Sequence, residues 1–420
     1  MFQALDLDAA SLPTDLKYVN RVRVLQAFLS LGTASANDVA ESIGLSRQTV
    51  MKSIRHFQGN GLLTSEGKGE STTIGGKRPE QFALSRRRYF LCATLWPGEI
   101  AVHIFTLGHD LIASVSRWQE LPSTAAEAVR QVGEIAEQLL DTRHINKTDV
   151  CAVSLSTSGV VDKKSGVLRY SSNSPEWGAN LPLRDELLTY FAPDTLIFIE
   201  NAGKMTARPL GADPALSDKR ILVIFTGWGL SSCLIERNHI LNGRNALIGE
   251  IGHMMIDPHD TELCGCGSHG CLERLVSMER IRRKLRGMAA DYPDSRLLTG
   301  NAAQLGIREV FDAAAQGDAL AKQLIGELAE TFAAALRNIS LVFDPDLVVF
   351  QGDYAYADEL FDRLLRENLR EFKYFPGGTP FEIHYDRRRL SELNAEGSYL
   401  ALTNEFFSSQ QLYLDAEDEV

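Results

Sequence analysis

Three cysteines fall within eight residues, in the run Cys264-Gly265-Cys266-Gly267-Ser268-His269-Gly270-Cys271-Leu272-Glu273. No other feature constrains the fold so tightly. The interleaved glycines let the chain curl until all three sulfurs converge. Six cysteines in 420 residues are too few for a disulfide scaffold, and in a reducing compartment a cluster of this kind binds metal. One histidine would complete a tetrahedral Cys₃His zinc site, and His253, His259 and His269 all stand near enough in sequence to supply it. Four protein ligands leave no open position for water, so the zinc is expected to be structural rather than hydrolytic. Cys92, Cys151 and Cys233 sit in apolar, strand-like runs and read as core residues.

Charge is divided unevenly along the chain. The net charge is −12, yet residues 16–90 carry twelve Lys/Arg against five acids, a net of +7, so the remainder carries −19. A basic head on an acidic body implies two jobs. Met1–Thr14 is acidic without an apolar core, so no signal peptide is read there, and no apolar run approaches the ~18 residues of a membrane helix. A cytoplasmic protein is expected.

The head has helix-turn-helix spacing. Val22, Leu25 and Leu29 predict a helix over 16–31. A shorter helix with Ala36, Val39, Ala40 and Ile43 follows, with Ser35 as its N-cap. The turn Gly44-Leu45-Ser46 then opens a third helix that buries Val50, Ile54 and Phe57 and presents Gln48, Thr49, Lys52 and Arg55 on its other face. Strand-like stretches flank Gly67-Lys68-Gly69, with Gly75-Gly76-Lys77-Arg78 near the second. The order is that of a winged helix-turn-helix whose third helix enters the major groove. Ser46, Arg47, Gln48, Thr49, Lys52, Lys77 and Arg78 are the candidate DNA contacts. Helix spacing alone would also suit a small helical subdomain; the segregated charge and the Gly-Gly-Lys-Arg segment favour operator DNA.

After Arg88 the pattern becomes α/β. Strands are predicted at Tyr89–Trp96, Ile100–Thr106, Leu111–Arg117, Val150–Ser156 and Leu196–Ile199, with helices at Ala125–Leu140, Leu183–Tyr190 and Ala202–Leu210. The scheme then restarts, with strands at Ile221–Phe225, Ser231–Glu236, His239–Leu241 and Leu347–Phe350 and helices at Ser277–Met288 and Ala319–Val342. Such duplication predicts two similar lobes with a cleft between them. The expected domains are a winged helix-turn-helix over 1–85, a first lobe over 86–202 completed by a C-terminal helix at 389–407, a second lobe over 203–388, and an acidic tail over 408–420.

Glu250-Ile251-Gly252-His253 followed by Cys-x-Cys-Gly-x-x-Gly-Cys-Leu-Glu resembles the zinc signature of the ROK family of repressors, open reading frames and sugar kinases. The resemblance extends over nearly the whole chain; the head is similar to that of the ROK repressors. It implies a two-lobed, actin-like (ribonuclease H-like) sugar-kinase-type fold after the winged helix, and assembly as a homodimer or homotetramer. It further implies that His253 is the fourth zinc ligand and that Glu250, His253 and Glu273 meet sugar hydroxyls, with zinc on one ring nitrogen of His253 and sugar on the other. Asn201 matches the first Asn of the family's Glu-Asn-Asp-Ala-Asn motif, and Asn173 lies in a loop where the family contacts sugar.

The departures from the family pattern bear on chemistry. The kinase general base, an Asp, is here Ala202, a loss that costs ~10²–10⁴ in rate. Ala93-Thr94-Leu95-Trp96-Pro97-Gly98 stands where the first phosphate loop should be and lacks its Asp and glycine pair. The second loop survives in part as Phe225-Thr226-Gly227-Trp228-Gly229-Leu230, and the adenosine-site glycines are reduced to Gln351-Gly352-Asp353. The expectation is a non-catalytic transcriptional regulator, a repressor, responding to a sugar or sugar phosphate. A sugar kinase with a DNA-binding head, and a regulator that has lost sugar sensing, are the alternatives.

Overall fold

The computed structural model describes residues 13–69, 78–299, 305–375 and 381–414. Lys77 and the acids from Asp415 onward lie outside the described residues.

The head comprises α1 (Pro13–Leu31), β1 (Ala34–Ser35), α2 (Ala36–Ile43), α3 (Arg47–Gly59), β2 (Leu63–Lys68) and β3 (Glu80–Leu84). Its strands are ordered β1-β3-β2, so the wing hairpin is joined by a short strand between the first two helices. Both expected caps form. Ser35 and Asp38 make a reciprocal capping box, and Ser46 Oγ accepts from the Thr49 N–H at 3.1 Å. Val50, Ile54 and Phe57 are fully buried.

The first sheet contains β4 (Tyr89–Trp96), β5 (Gly98–Thr106), β6 (Leu111–Gln119), β7 (Val150–Thr157) and β10 (Leu196–Asn201), in the order β10-β7-β4-β5-β6. Between these strands come α4 (Ala125–Thr142), a small hairpin of β8 (Val160–Asp162) and β9 (Val167–Tyr170), and α5 (Leu183–Leu188). Then α6 (Ala202–Ala212) leads to the second sheet, built from β11 (Arg220–Thr226), β12 (Leu230–Glu236), β13 (His239–Ile240), β14 (Leu347–Gly352) and β15 (Glu382–Asp386) in the order β13-β12-β11-β14-β15. The two orders correspond strand for strand: a three-strand meander extended by two strands reached through crossovers. The remaining helices are α7 (Leu272–Leu275), α8 (Met278–Met288), α9 (Ile307–Ala315), α10 (Ala319–Phe343), α11 (Glu359–Arg370) and α12 (Leu390–Phe407). Cys92, Cys151 and Cys233 are buried, as their apolar runs imply.

Two compact units result, and their borders differ from those read in the sequence. One comprises residues 1–156, 183–199 and 398–420; the other comprises 157–182 and 200–397. The head therefore groups with the first sheet, and the β8–β9 hairpin groups with the second. Helix α12 changes unit between Gly397 and Ser398.

The expected tail over 408–420 requires correction in its described part. Gln410–Tyr413 form a 3-10 turn, and Tyr413 is 1% exposed. Its ring meets Tyr18 edge-on at 5.2 Å and Phe57 at 6.0 Å. Arg21 donates to the Tyr413 carbonyl at 2.5 Å, and a ring nitrogen of His56 bonds the Leu412 carbonyl at 2.8 Å. An apolar anchor and two backbone acceptors hold this segment on α1 and α3, and no composition signal in an acidic terminus reports that. No described helix is long and apolar enough to cross a membrane.

Candidate metal centre and effector site

The second unit brings the cysteine cluster together. The ligand atoms of His253, Cys264, Cys266 and Cys271 all lie within 4.8 Å of one another. Cys264 Sγ is 3.6 Å from His253 Nδ1, and Cys266 Sγ is 3.7 Å from Cys271 Sγ. With zinc–sulfur bonds near 2.3 Å a tetrahedron has sulfur–sulfur edges of about 3.8 Å, so these separations fit a tetrahedral ion. Burial raises the Cys264 thiol and pushes that of Cys271 up to about 12, with the neighbouring sulfurs adding to the latter. A divalent cation at the centre reverses this balance by holding the sulfurs as thiolates.

Backbone pairing sets the loop. Leu272 N–H donates to the Met254 carbonyl at 2.9 Å, and Ile256 N–H to the Gly270 carbonyl at 2.8 Å. Gly270 has φ +65°, and a Cβ there would collide with the Asp257 carbonyl oxygen. Only glycine permits this approach.

Each end of the cluster carries a carboxylate. Glu250 caps the 3-10 turn Ile251–His253, and Cys271 caps α7, whose second residue is Glu273. Glu273 Oε2 accepts from the Leu230 N–H at 2.7 Å. A Cβ on Gly229 would lie 2.8 Å from that oxygen and 3.2 Å from Asn173 Nδ2, so Asn173 and Glu273 converge over Gly229. Burial raises the Glu250 carboxyl; His253 and Lys204 act to lower it and Glu273 to raise it. His253 turns Nδ1 to the sulfurs, which leaves Nε2 for another partner.

Asn201 does more than its motif suggests. It is the N-cap of α6, and its Oδ1 accepts from the N–H groups of Gly203 at 2.9 Å and Lys204 at 3.4 Å. Its Nδ2 donates to the Gly159 carbonyl at 2.9 Å, which leaves one N–H for a ligand. Asn before a helical run is a cap signal that was available in the sequence. Lys204, on the first turn of α6 and 4% exposed, was not singled out from the sequence.

In the other unit Arg47, Gln48 and Lys52 are exposed along α3, and Arg78 is exposed ahead of β3. Ser46 and Thr49 are bound to each other, with their hydroxyls 2.8 Å apart. The segment in place of the first phosphate loop is the β4–β5 hairpin. Trp96 is fully buried there, donating to Ser156 Oγ at 3.2 Å, and Glu99 is 3% exposed and accepts from Ser116. A buried indole and a carboxylate oppose phosphate binding at this turn.

The ROK family profile matches residues 101–383. The chain belongs to the ROK family. A xylose repressor of Caldicellulosiruptor bescii is 23% identical over 364 residues, covering 86% of this chain and 90% of its own. A glucokinase of Thermotoga maritima is 27% identical over 267 residues, covering 62% of this chain and 81% of its own. Among solved structures, a ROK family transcriptional regulator described as a homologue of the E. coli MLC protein has a TM-score of 0.75 at 20% identity and covers 94% of this chain and 99% of its own. The fold is thus that of a ROK regulator, with the head included.

Proposed function

We propose that this ROK protein is a sugar-responsive transcriptional repressor whose kinase-like body senses its effector without catalysing phosphoryl transfer. One observation carries the reading. Glu250 and Glu273 flank the His/Cys cluster and α3 exposes Arg47, Gln48 and Lys52, while Ala202, buried Trp96 and buried Glu99 stand where the family resemblance would set a kinase's base and first phosphate loop. The repressor relative extends over far more of this chain than the glucokinase does, which supports the same reading.

Zinc is the metal that best suits this donor set; His253 Nδ1 and the sulfurs of Cys264, Cys266 and Cys271 would hold it. It would fix the orientation of His253 and, through the loop, of Glu250 and Glu273. Asn173, Asn201, Glu250, His253 and Glu273 would meet the effector. Arg47, Gln48, Lys52, Lys77 and Arg78 would meet DNA, with Ser46 and Thr49 setting the start of the reading helix. A cytoplasmic homodimer or homotetramer would read two half-sites, and the effector would act through its differential affinity for DNA-competent and DNA-incompetent states.

The test is binding of the full chain to the promoter region beside its gene. Specific, salt-sensitive binding modulated by one sugar or sugar phosphate is expected; equal affinity for random DNA at physiological salt refutes the reading. The glucokinase relative makes a kinase the second reading, and sustained ADP release across a sugar panel would favour it.

A further inference from the structure

The proposed effector site contains a buried cation, Lys204. Lys204 is 4% exposed, and its Nζ has one hydrogen bond, 3.4 Å to the neutral amide oxygen of Asn242. Among the described residues no carboxylate oxygen lies within the 4 Å of an ion pair, and Glu250 is felt only electrostatically. The side chain runs toward the effector carboxylates, since its Cε would be 3.9 Å from a Cβ on Gly249, the residue before Glu250. Buried ammonium groups are costly without an anion. Lys204 also stands in the first turn of α6, where the helix dipole adds positive potential.

The local sequence shifts charge in the same direction. Against Glu-Asn-Asp-Ala-Asn, the run Glu200-Asn201-Ala202-Gly203-Lys204 exchanges an acid for Ala202 and a neutral amide for Lys204. One turn of helix thus becomes two charges more positive. A neutral sugar would leave the ammonium with no anion at contact distance and only the longer-range field of Glu250; a sugar bearing an anionic group would supply that contact.

We infer that Lys204 selects an anionic sugar, binding the carboxylate of a sugar acid or the phosphate of a sugar ester beside the first turn of α6. The inference rests on the effector-sensing reading above and narrows its ligand class. Specificity then follows from the buried charge, since a site built around an ionised partner discriminates strongly against ligands that leave it unpaired.

Calorimetry on the full-length, zinc-loaded protein tests this with matched ligands: glucose, glucuronate, gluconate and glucose 6-phosphate, then N-acetylglucosamine and its 6-phosphate, then galactose and galacturonate. At least one anionic ligand is expected to bind about tenfold or more tighter than its neutral parent, and whether carboxylate or phosphate wins identifies the source of the charge. K204Q and K204M should bring that ratio to within about threefold, with melting transitions checking that each variant is folded. K204R should keep a preference. Neutral parents that bind as tightly as their anionic forms overturn the inference and leave the sensor reading intact. A preference that survives in a folded K204Q or K204M also overturns it. Silence of every ligand, neutral and anionic, overturns the sensor reading and this inference together.

Discussion

Replacing Cys266 with Ser separates a metal ligand from an ordinary surface thiol. Cys266 is exposed whereas Cys264 and Cys271 are buried, so its loss opens no core cavity. Exposed substitutions away from special features usually change stability by no more than about 0.5 kcal/mol. A structural zinc site contributes about 10–16 kcal/mol when formed from four ligands, so weakening one of four is expected to cost about 2–4 kcal/mol. For a unit of this size that lowers the melting temperature by roughly 5–15 °C. The assay is thermal unfolding of wild type and C266S, each with and without a chelator, together with metal analysis. Wild type should carry about one zinc per chain and fall below metal-loaded C266S when chelated, and C266S, whose weakened site gives up its ion more readily, should fall with chelator as well. Full zinc content and an unchanged transition in C266S would refute the ligand role.

Three further outcomes follow from local geometry. In G270A the left-handed backbone alone costs about 1–2 kcal/mol, and the shift forced by Asp257 should lower zinc content as well, read by metal analysis. Burial by itself would raise the Asp318 carboxyl, but the N–H groups of Ala321 and Arg296 and the Ser295 hydroxyl hold it below the usual range. Its stabilisation is therefore present above the unfolded pKa near 3.9 and lost as pH falls through the lower folded value, so D318A should cost about 1 kcal/mol at pH 7 and converge with wild type in acid denaturation series. Paired R47A and K52A should leave the melting transition unchanged and reduce the salt dependence of DNA binding by about one unit for each phosphate contact removed.

Local chemistry made parts of this structure legible in advance. The caps at Ser35 and Ser46 and the buried stripe Val50, Ile54 and Phe57 need only neighbouring residues, and the strand at Tyr89–Trp96 runs as its apolar pattern implies. The cysteine cluster carried its own geometry in its glycines, although the choice among three histidines needed the family signature. Helix α11 was passed over despite Phe361, Leu365 and Leu369 at a four-residue spacing after the Asp358 cap. The β8–β9 hairpin is too short to give a periodic signal. The unit borders depend on contacts between distant segments, which no window of sequence contains. Lys204 was missed because a lysine in a helix reads as solvated until its burial is known.

Tyr413 also sets an order of assembly. The head precedes both sheets in the chain, yet an aromatic ring among those of its core comes from a residue 392 positions after Arg21. At about 5–20 residues per second, the nascent head waits about 20–80 s for that ring. A chain that stops before Tyr413 carries α3 with one aromatic neighbour of Phe57 missing, so the head's core is complete only once that ring arrives.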